Sequence, residues 1–292
     1  MPNDKNLNSY LHLHLIVFIW GFTAVLGALI TLDALPLVWF RMFFAVLFIG
    51  VYIAFKKNSL RLNYQTILKL LVAGLIIALH WFTFFEAIKV SNISVTLACL
   101  STGAFFTSIL EPIFFKRKVI LYEVFFGLIV IAGLYLIFQV EGKYIYGIIL
   151  ALTSAFLSAS FSIINGKFAK EYDSSVISFY ELLGGVLFFS LFLMFKGSFS
   201  ISFFQLSTND FIWLMVLSSV CTAYAFIASV AVMKYLSPYT VMLTINLEPI
   251  YGIILALIVF GEKEQMNSQF YIGAVIILST VILNGILKNK SK

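Results

Sequence analysis

Glu248 and Pro249 stand side by side inside an apolar run that continues from Ile253 to Phe260 and closes with Gly261-Glu262. The run is long enough to cross a bilayer, so the pairing is costly: hydrocarbon resists the charge, and the proline leaves a carbonyl one turn back without its donor. A carboxyl at that depth can take and lose a proton, or simply bond the carbonyl that the proline frees, and such a place usually lines water or a ligand. Glu111-Pro112 repeats the dipeptide in an earlier span. Both prolines, Pro112 and Pro249, are therefore expected to break their helices. Other residues able to do chemistry inside apolar runs are His80, beside Trp81, and Arg41 and Glu181. His80 is either a neutral imidazole bonded to a neighbouring helix or part of a substrate path. For Arg41 the simpler reading is snorkelling to the interface, with an ion pair inside the bundle as the alternative.

Hydroxyl and small residues recur at helical spacing. Ser94, Ala98, Ser101, Phe105 and Ser108 form one stripe; Ser154, Ser158, Ser162 and Asn165 form another. Ser218, Thr222, Ala225 and Ser229 form a third, with Tyr224 one residue off it, while Thr240, Thr244, Glu248 and Tyr251 share a face. Each stripe is either a close-packing seam or a cavity wall, and the second is too polar to meet lipid. The expected cavity residues are Trp20, His80, Trp81, Ser101, Thr102, Ser158, Asn165, Tyr224, Glu248 and Tyr251, with Glu248 the candidate for ion coupling.

The elements that must position these groups follow from composition. Hydrophobic residues make up 62% of the 292 and charged residues 11%, against a charged fraction of about 25% in soluble domains. The chain is therefore a polytopic membrane protein. Runs of about 20 apolar residues, each enough for a spanning helix, fall at 11–32, 36–55, 67–88, 93–115, 120–139, 144–168, 174–195, 210–234, 238–260 and 270–287. Lys and Arg concentrate at the N-terminus, in the even-numbered loops (Lys116-Arg117-Lys118 among them) and at the C-terminus. The odd-numbered loops hold only Lys89, Lys143, Lys196 and Lys263. The positive-inside rule then places both termini in the cytoplasm. The net charge of +6 is topology information and calls for no nucleic-acid partner. Cys99 and Cys221 both lie within spans, which argues against a disulfide or a metal cluster, and the first ten residues lack the pattern of a cleaved signal peptide.

The chain also repeats itself. A shift of 146 places Phe114 on Phe260, Gly127 on Gly273 and Phe105 on Tyr251, and sets Ser101-Thr102-Gly103 on Leu247-Glu248-Pro249. A shift of 139 places Phe22 on Phe161 and Gly27 on Gly166. A repeat of five spans, an odd number, must enter the membrane from opposite sides, which is the architecture of alternating-access carriers with the site between the copies. The expected fold is thus an all-α membrane protein of ten transmembrane helices in two inverted five-helix repeats, residues 1–140 and 141–292.

Trp20-Gly21, Phe40-Arg41-Met42-Phe43-Phe44-Ala45, Leu247-Glu248-Pro249, Phe260-Gly261-Glu262 and Gly273 together resemble the EamA-type transporters of the drug/metabolite transporter superfamily. The resemblance runs from about residue 10 to residue 287. It implies a basket-like bundle whose cavity is lined mainly by spans 1, 3, 4, 6, 8 and 9, and outward movement of amino acids or other small metabolites. Where the family has a Gly-Glu pair ending the fourth span, this chain has Phe115-Lys116.

The sequence contains no P-loop and no HExxH pair, so no nucleotide hydrolysis, metal or other cofactor is expected and no catalytic residue is assigned. The reading is a secondary transporter of a small amphipathic or amino acid-like molecule in the cell membrane, an exporter, either proton-coupled or a uniporter. A lipid-modifying membrane enzyme is the remote alternative. Its partners would be the small-molecule substrate and the lipid bilayer, with monomer and homodimer both open.

Overall fold

The structure, a computed structural model, describes residues 4–116, 121–140 and 142–290. Arg117, Lys118 and Glu141 of the loop-charge pattern lie outside the described residues, which contain helices, turns and no strand.

The helices in chain order are α1 (Asp4–Leu29), α2 (Ala34–Lys56), α3 (Tyr64–Val90), α4 (Ile93–Leu100), α5 (Gly103–Phe115), α6 (Leu121–Val140) and α7 (Ile145–Phe168). They continue as α8 (Ser174–Phe195), α9 (Thr208–Ser218), α10 (Ala225–Val232), α11 (Pro238–Ile245), α12 (Glu248–Phe260) and α13 (Ser268–Lys290). A π-helical turn, Ser219–Tyr224, joins α9 to α10. Among the described residues eight stretches are long and apolar enough to cross a membrane, and two shorter apolar stretches, Phe125–Ile137 and Ser268–Thr280, lie in α6 and α13. The protein is a multi-pass helical membrane protein.

Start signals written in the sequence open these helices. Asn63 accepts from Thr66 N at 2.8 Å, Asn92 from Val95 N at 2.8 Å, and Ser237 from Thr240 N at 3.2 Å just before Pro238. Each satisfies a backbone donor that the first turn leaves without a partner. In the hydrocarbon such a donor has no water to turn to.

Two spans are interrupted, and in the same way. The stretch Ile93–Phe115, expected as the fourth span, runs as α4, 8 residues, then α5, 13 residues; the stretch Pro238–Glu264, expected as the ninth, runs as α11, 8 residues, then α12, 13 residues. In the ninth, Pro249 has no N–H to offer the Ile245 carbonyl, so α11 ends there. Short three-residue bonds, Asn246 N to Leu243 O at 3.2 Å and Leu247 N to Thr244 O at 3.0 Å, close the turn. In the fourth, the position that the repeat sets against Pro249 is Gly103, the other helix-weakening residue type. There the Ser101 and Thr102 hydroxyls donate to Ala98 O at 2.6 Å and Cys99 O at 2.7 Å, tightening the break. Pro112 does not break its helix, contrary to expectation: α5 passes through it to Phe115. The interruption in that span lies nine residues or more earlier, because the local hydroxyl bonds and Gly103 weaken the helix there.

α3 packs along α7 and α8, α6 along α13, α1 along α12, and α2 along α8. The α3–α8 seam is close enough that a Cβ on Gly74 would collide with the Glu181 carbonyl, and one on Gly184 with Leu71 O. Small residues there let the two backbones touch. The large apolar core lies among α1–α3 and α8–α10, and a second one joins α4, α6, α7 and α13.

Candidate functional site

A cavity of about 60 Å³ lies between α1, α2, α3, the end of α4, α7, α10, α11 and the start of α12. At about 10–15 Å³ per enclosed water it has room for a few water molecules. Trp20, Trp81, Phe84, Phe161 and Phe226 supply aromatic walls, while Arg41, His80, Ser158, Ser162, Ser229 and Glu248 supply polar atoms.

Arg41 is the most constrained of these. It is 1% exposed, so it does not snorkel. Its Nε donates to Thr222 Oγ1 at 2.7 Å, and its guanidinium carbon lies 3.9 Å from the centre of the Trp81 ring. The Thr222 hydroxyl donates in turn to Leu217 O at 2.7 Å, five residues back. That spacing belongs to the π turn, which sets Thr222 to receive Arg41. One guanidinium nitrogen, Nη1, is buried without a partner. A cationic donor left over in a dry interior is the arrangement that recognises an anionic group.

Glu248 faces the same cavity, and no contact ion pair joins it to Arg41 among the described residues. Its place at the first turn of α12 puts the carboxyl against the positive end of that helix. Trp20 crosses to the other half of the chain, its Nε1 donating to Cys221 O at 3.1 Å. The π turn makes that carbonyl available. Ala225 N, its partner in a regular helix, instead points to Val220 O and Thr222 O. His80 Nδ1 lies 2.9 Å from the Ser154 carbonyl and 2.8 Å from its hydroxyl. A carbonyl only accepts, so Nδ1 carries the proton. His80 is thus bonded to a neighbouring helix and also lines the cavity.

Five of the expected cavity residues, Trp20, His80, Trp81, Ser158 and Glu248, meet here. Ser101 and Thr102 are buried and turned to their own helix. Asn165 is buried against α8, donating to Glu181 Oε2 at 3.2 Å. Tyr224 points outward, 44% exposed, with its hydroxyl 2.9 Å from His12 Nε2. Tyr251 stacks edge-on against Phe18 at 5.5 Å between ring centres. Arg41 and its partner Thr222 are what the list of expected residues lacked. The signals for Arg41 were its charge inside an apolar span and its place in the Phe40-Arg41-Met42 motif that carries the family resemblance.

Comparison with known proteins agrees with this architecture. A solved crystal structure matches with a TM-score of 0.71 over 97% of this chain and 98% of the other, at 13% identity, which shows the fold alone. No curated protein sequence matches. The EamA-like transporter family model matches twice, over residues 8–139 and 145–286. With nearly all its length covered by those two matches, the chain belongs to the EamA-like transporter family.

Proposed function

We propose that the protein is a secondary transporter that carries a small amphipathic zwitterion, an amino acid-like molecule, through this cavity. One observation carries the reading: Arg41, with an unpartnered Nη1, and Glu248, with no hydrogen bond among the described residues, face one buried cavity walled by indole and phenyl rings. Arg41 would take the carboxylate and Glu248 the ammonium, and the rings would take an apolar side chain. The cavity at its present size holds only a few waters, so loading requires the surrounding helices to move apart. Glu248 can hold either the substrate's cation or a proton, and that exchange is the proposed coupling step.

The accompanying architecture is ten spans in two inverted halves, 1–140 and 141–292, with both termini cytoplasmic in the cell membrane and net movement outward. Matching breaks in the fourth and ninth spans support it, since interrupted helices in corresponding positions mark transporter midplane sites. Charge placement in the loops supports the orientation.

The test is counterflow of labelled apolar L-amino acids in proteoliposomes, followed by Glu248→Gln, which keeps size and hydrogen bonding but cannot titrate. The variant is expected to lose accumulation driven by a proton gradient. Accumulation at the wild-type level would remove Glu248 from coupling and leave uniport or another ion. Failure of the whole panel to exchange in the wild type would overturn the zwitterion reading.

A further inference from the structure

A second carboxyl is buried outside the cavity. Glu181 on α8 and Asn165 on α7 are both 0% exposed. Asn165 Nδ2 donates to Glu181 Oε2 at 3.2 Å, while Glu181 Oε1 and Asn165 Oδ1, both buried acceptors, have no partner. Two acceptor oxygens without a donor in a low-dielectric interior are each costly, and one bound cation satisfies both.

The charged and titratable side chains on neighbouring elements do not serve that purpose. α2 carries Arg41, Tyr52 and Lys56; Arg41 is committed to Thr222 and the Trp81 ring, and Tyr52 is exposed. α3 carries Tyr64, Lys69, His80, Glu86 and Lys89; His80 bonds Ser154, and Lys89 donates to Ile30 O at 3.0 Å. α7 carries Tyr146 and Lys167, with Lys167 at the helix end over the Phe114 and Phe115 rings. α10 carries none. Among the described residues none of them bonds Glu181.

Along α7 the pair follows directly on the cavity wall. Ser158 and Ser162 line the cavity, and Asn165 follows them on the same face of α7, one turn further along. The seam between α3 and α8 fixes the Glu181 backbone from the far side, through the close approach of Gly74 to its carbonyl.

We propose that Glu181 and Asn165 form a binding site for a small monovalent cation, a proton or Na⁺, which loads from the cavity along the Ser158–Ser162–Asn165 face and serves transport as a coupling ion. Its role in transport rests on the transport reading; its existence as an ion site does not.

The first experiment therefore needs no substrate. Infrared difference spectra of the reconstituted protein are recorded on stepping from alkaline to mildly acidic buffer, and separately on adding NaCl in place of choline chloride. A protonated-carboxyl band on acidification, or a shifted carboxylate band with Na⁺, is expected in Glu248→Gln, where the cavity carboxyl no longer contributes, and is lost when Glu181→Gln is added to that background. The arm in which it occurs identifies the ion. Asn165→Ala, which keeps the carboxyl but removes the second oxygen, is expected to move the midpoint of that band several-fold in ion concentration. No Glu181-dependent band in either arm, or an unmoved midpoint in Asn165→Ala, overturns the site. The second experiment is counterflow of labelled L-leucine: Glu181→Gln should exchange at the wild-type rate yet lose accumulation driven by the matching ion gradient. Gradient-driven accumulation at the wild-type level overturns the coupling role. Absence of counterflow in the wild type for leucine and the rest of the apolar panel overturns the zwitterion reading instead, and the infrared band then decides the ion site alone.

Discussion

Arg41→Met separates the part proposed for Arg41 in binding from its part in folding. The substitution keeps an unbranched chain and removes the charge. It forfeits the ring contact with Trp81 at 3.9 Å, roughly 2 kcal/mol for a desolvated cation over an indole. It also forfeits the Thr222 bond at 2.7 Å, about 1.5–3 kcal/mol for a charged donor. Against these stands relief of the guanidinium's desolvation, several kcal/mol per buried ion and undiminished here by any bond at Nη1. The opposing sums are of similar size, so the unliganded variant should unfold within about 2 kcal/mol of wild type. Binding behaves differently, because the carboxylate of a substrate loses its only cationic partner on the cavity wall. Loss of a charge-assisted bond of about 1.5–3 kcal/mol corresponds to a roughly tenfold to hundredfold weaker affinity. The assay is calorimetric titration of L-leucine and of isopentylamine, its decarboxylated analogue, into purified protein. Wild type should prefer the amino acid, and Arg41→Met should not. A variant that keeps the full preference for the carboxylate would refute the assignment of Arg41 as its receptor.

Cysteine scanning on a background without Cys99 and Cys221 should show Ser158→Cys labelled by a small water-soluble thiol reagent, with Ser101→Cys and Thr102→Cys protected. Labelling at 101 and 102 would mean that the break opens to water. Gly74→Leu should fail to give a monodisperse, folded protein, because its side chain meets the Glu181 carbonyl across a backbone-to-backbone seam; a wild-type chromatographic profile would show that the seam is looser than described. Glu264 accepts from Ile93 N at 3.0 Å and Ser94 N at 2.9 Å and so caps α4 from the opposite half of the chain. Glu264→Ala should destabilise that end by about 1–2 kcal/mol, read as faster amide exchange across Ile93–Leu100. Unchanged exchange would show that Asn92 caps the helix alone.

The sequence disclosed most of the frame. Composition and run length located the eight stretches able to cross a membrane and the two shorter apolar ones, and the 146-residue register matched Ser101-Thr102-Gly103 to Leu247-Glu248-Pro249, the places where two helices part. Side-chain destinations were less legible. Arg41 sits near a helix end, and nothing local to it reveals that Trp81 on α3 and Thr222 in the π turn will converge there. Ser101 and Thr102 share a stripe with cavity-like spacing, yet a hydroxyl in a helix can always donate to a carbonyl three or four residues back, and both do so. The π turn inserts a residue's worth of rotation between Ser218 and Ala225, so a regular helical face drawn through that span fails, and Tyr224 points outward.

These irregularities concentrate at the cavity, and that location has a physical reason. Leu100, the last residue of α4, and Ile245 and Glu248, which flank the second break, all line it, while the π turn presents Cys221 O to Trp20 and Thr222 to Arg41. A continuous helix satisfies its own carbonyls and donors; an interrupted one exposes backbone polar groups that hydrocarbon cannot satisfy. They persist only where protein or a polar cavity meets them, so broken backbone and charged side chains draw to the same place. The breaks also give α4 against α5, and α11 against α12, a joint that an unbroken helix lacks. An ion or substrate that binds between them acts on the elements with the least internal hydrogen bonding to resist a change of angle, and this gives occupancy of a few-water cavity a route to movement of whole helices.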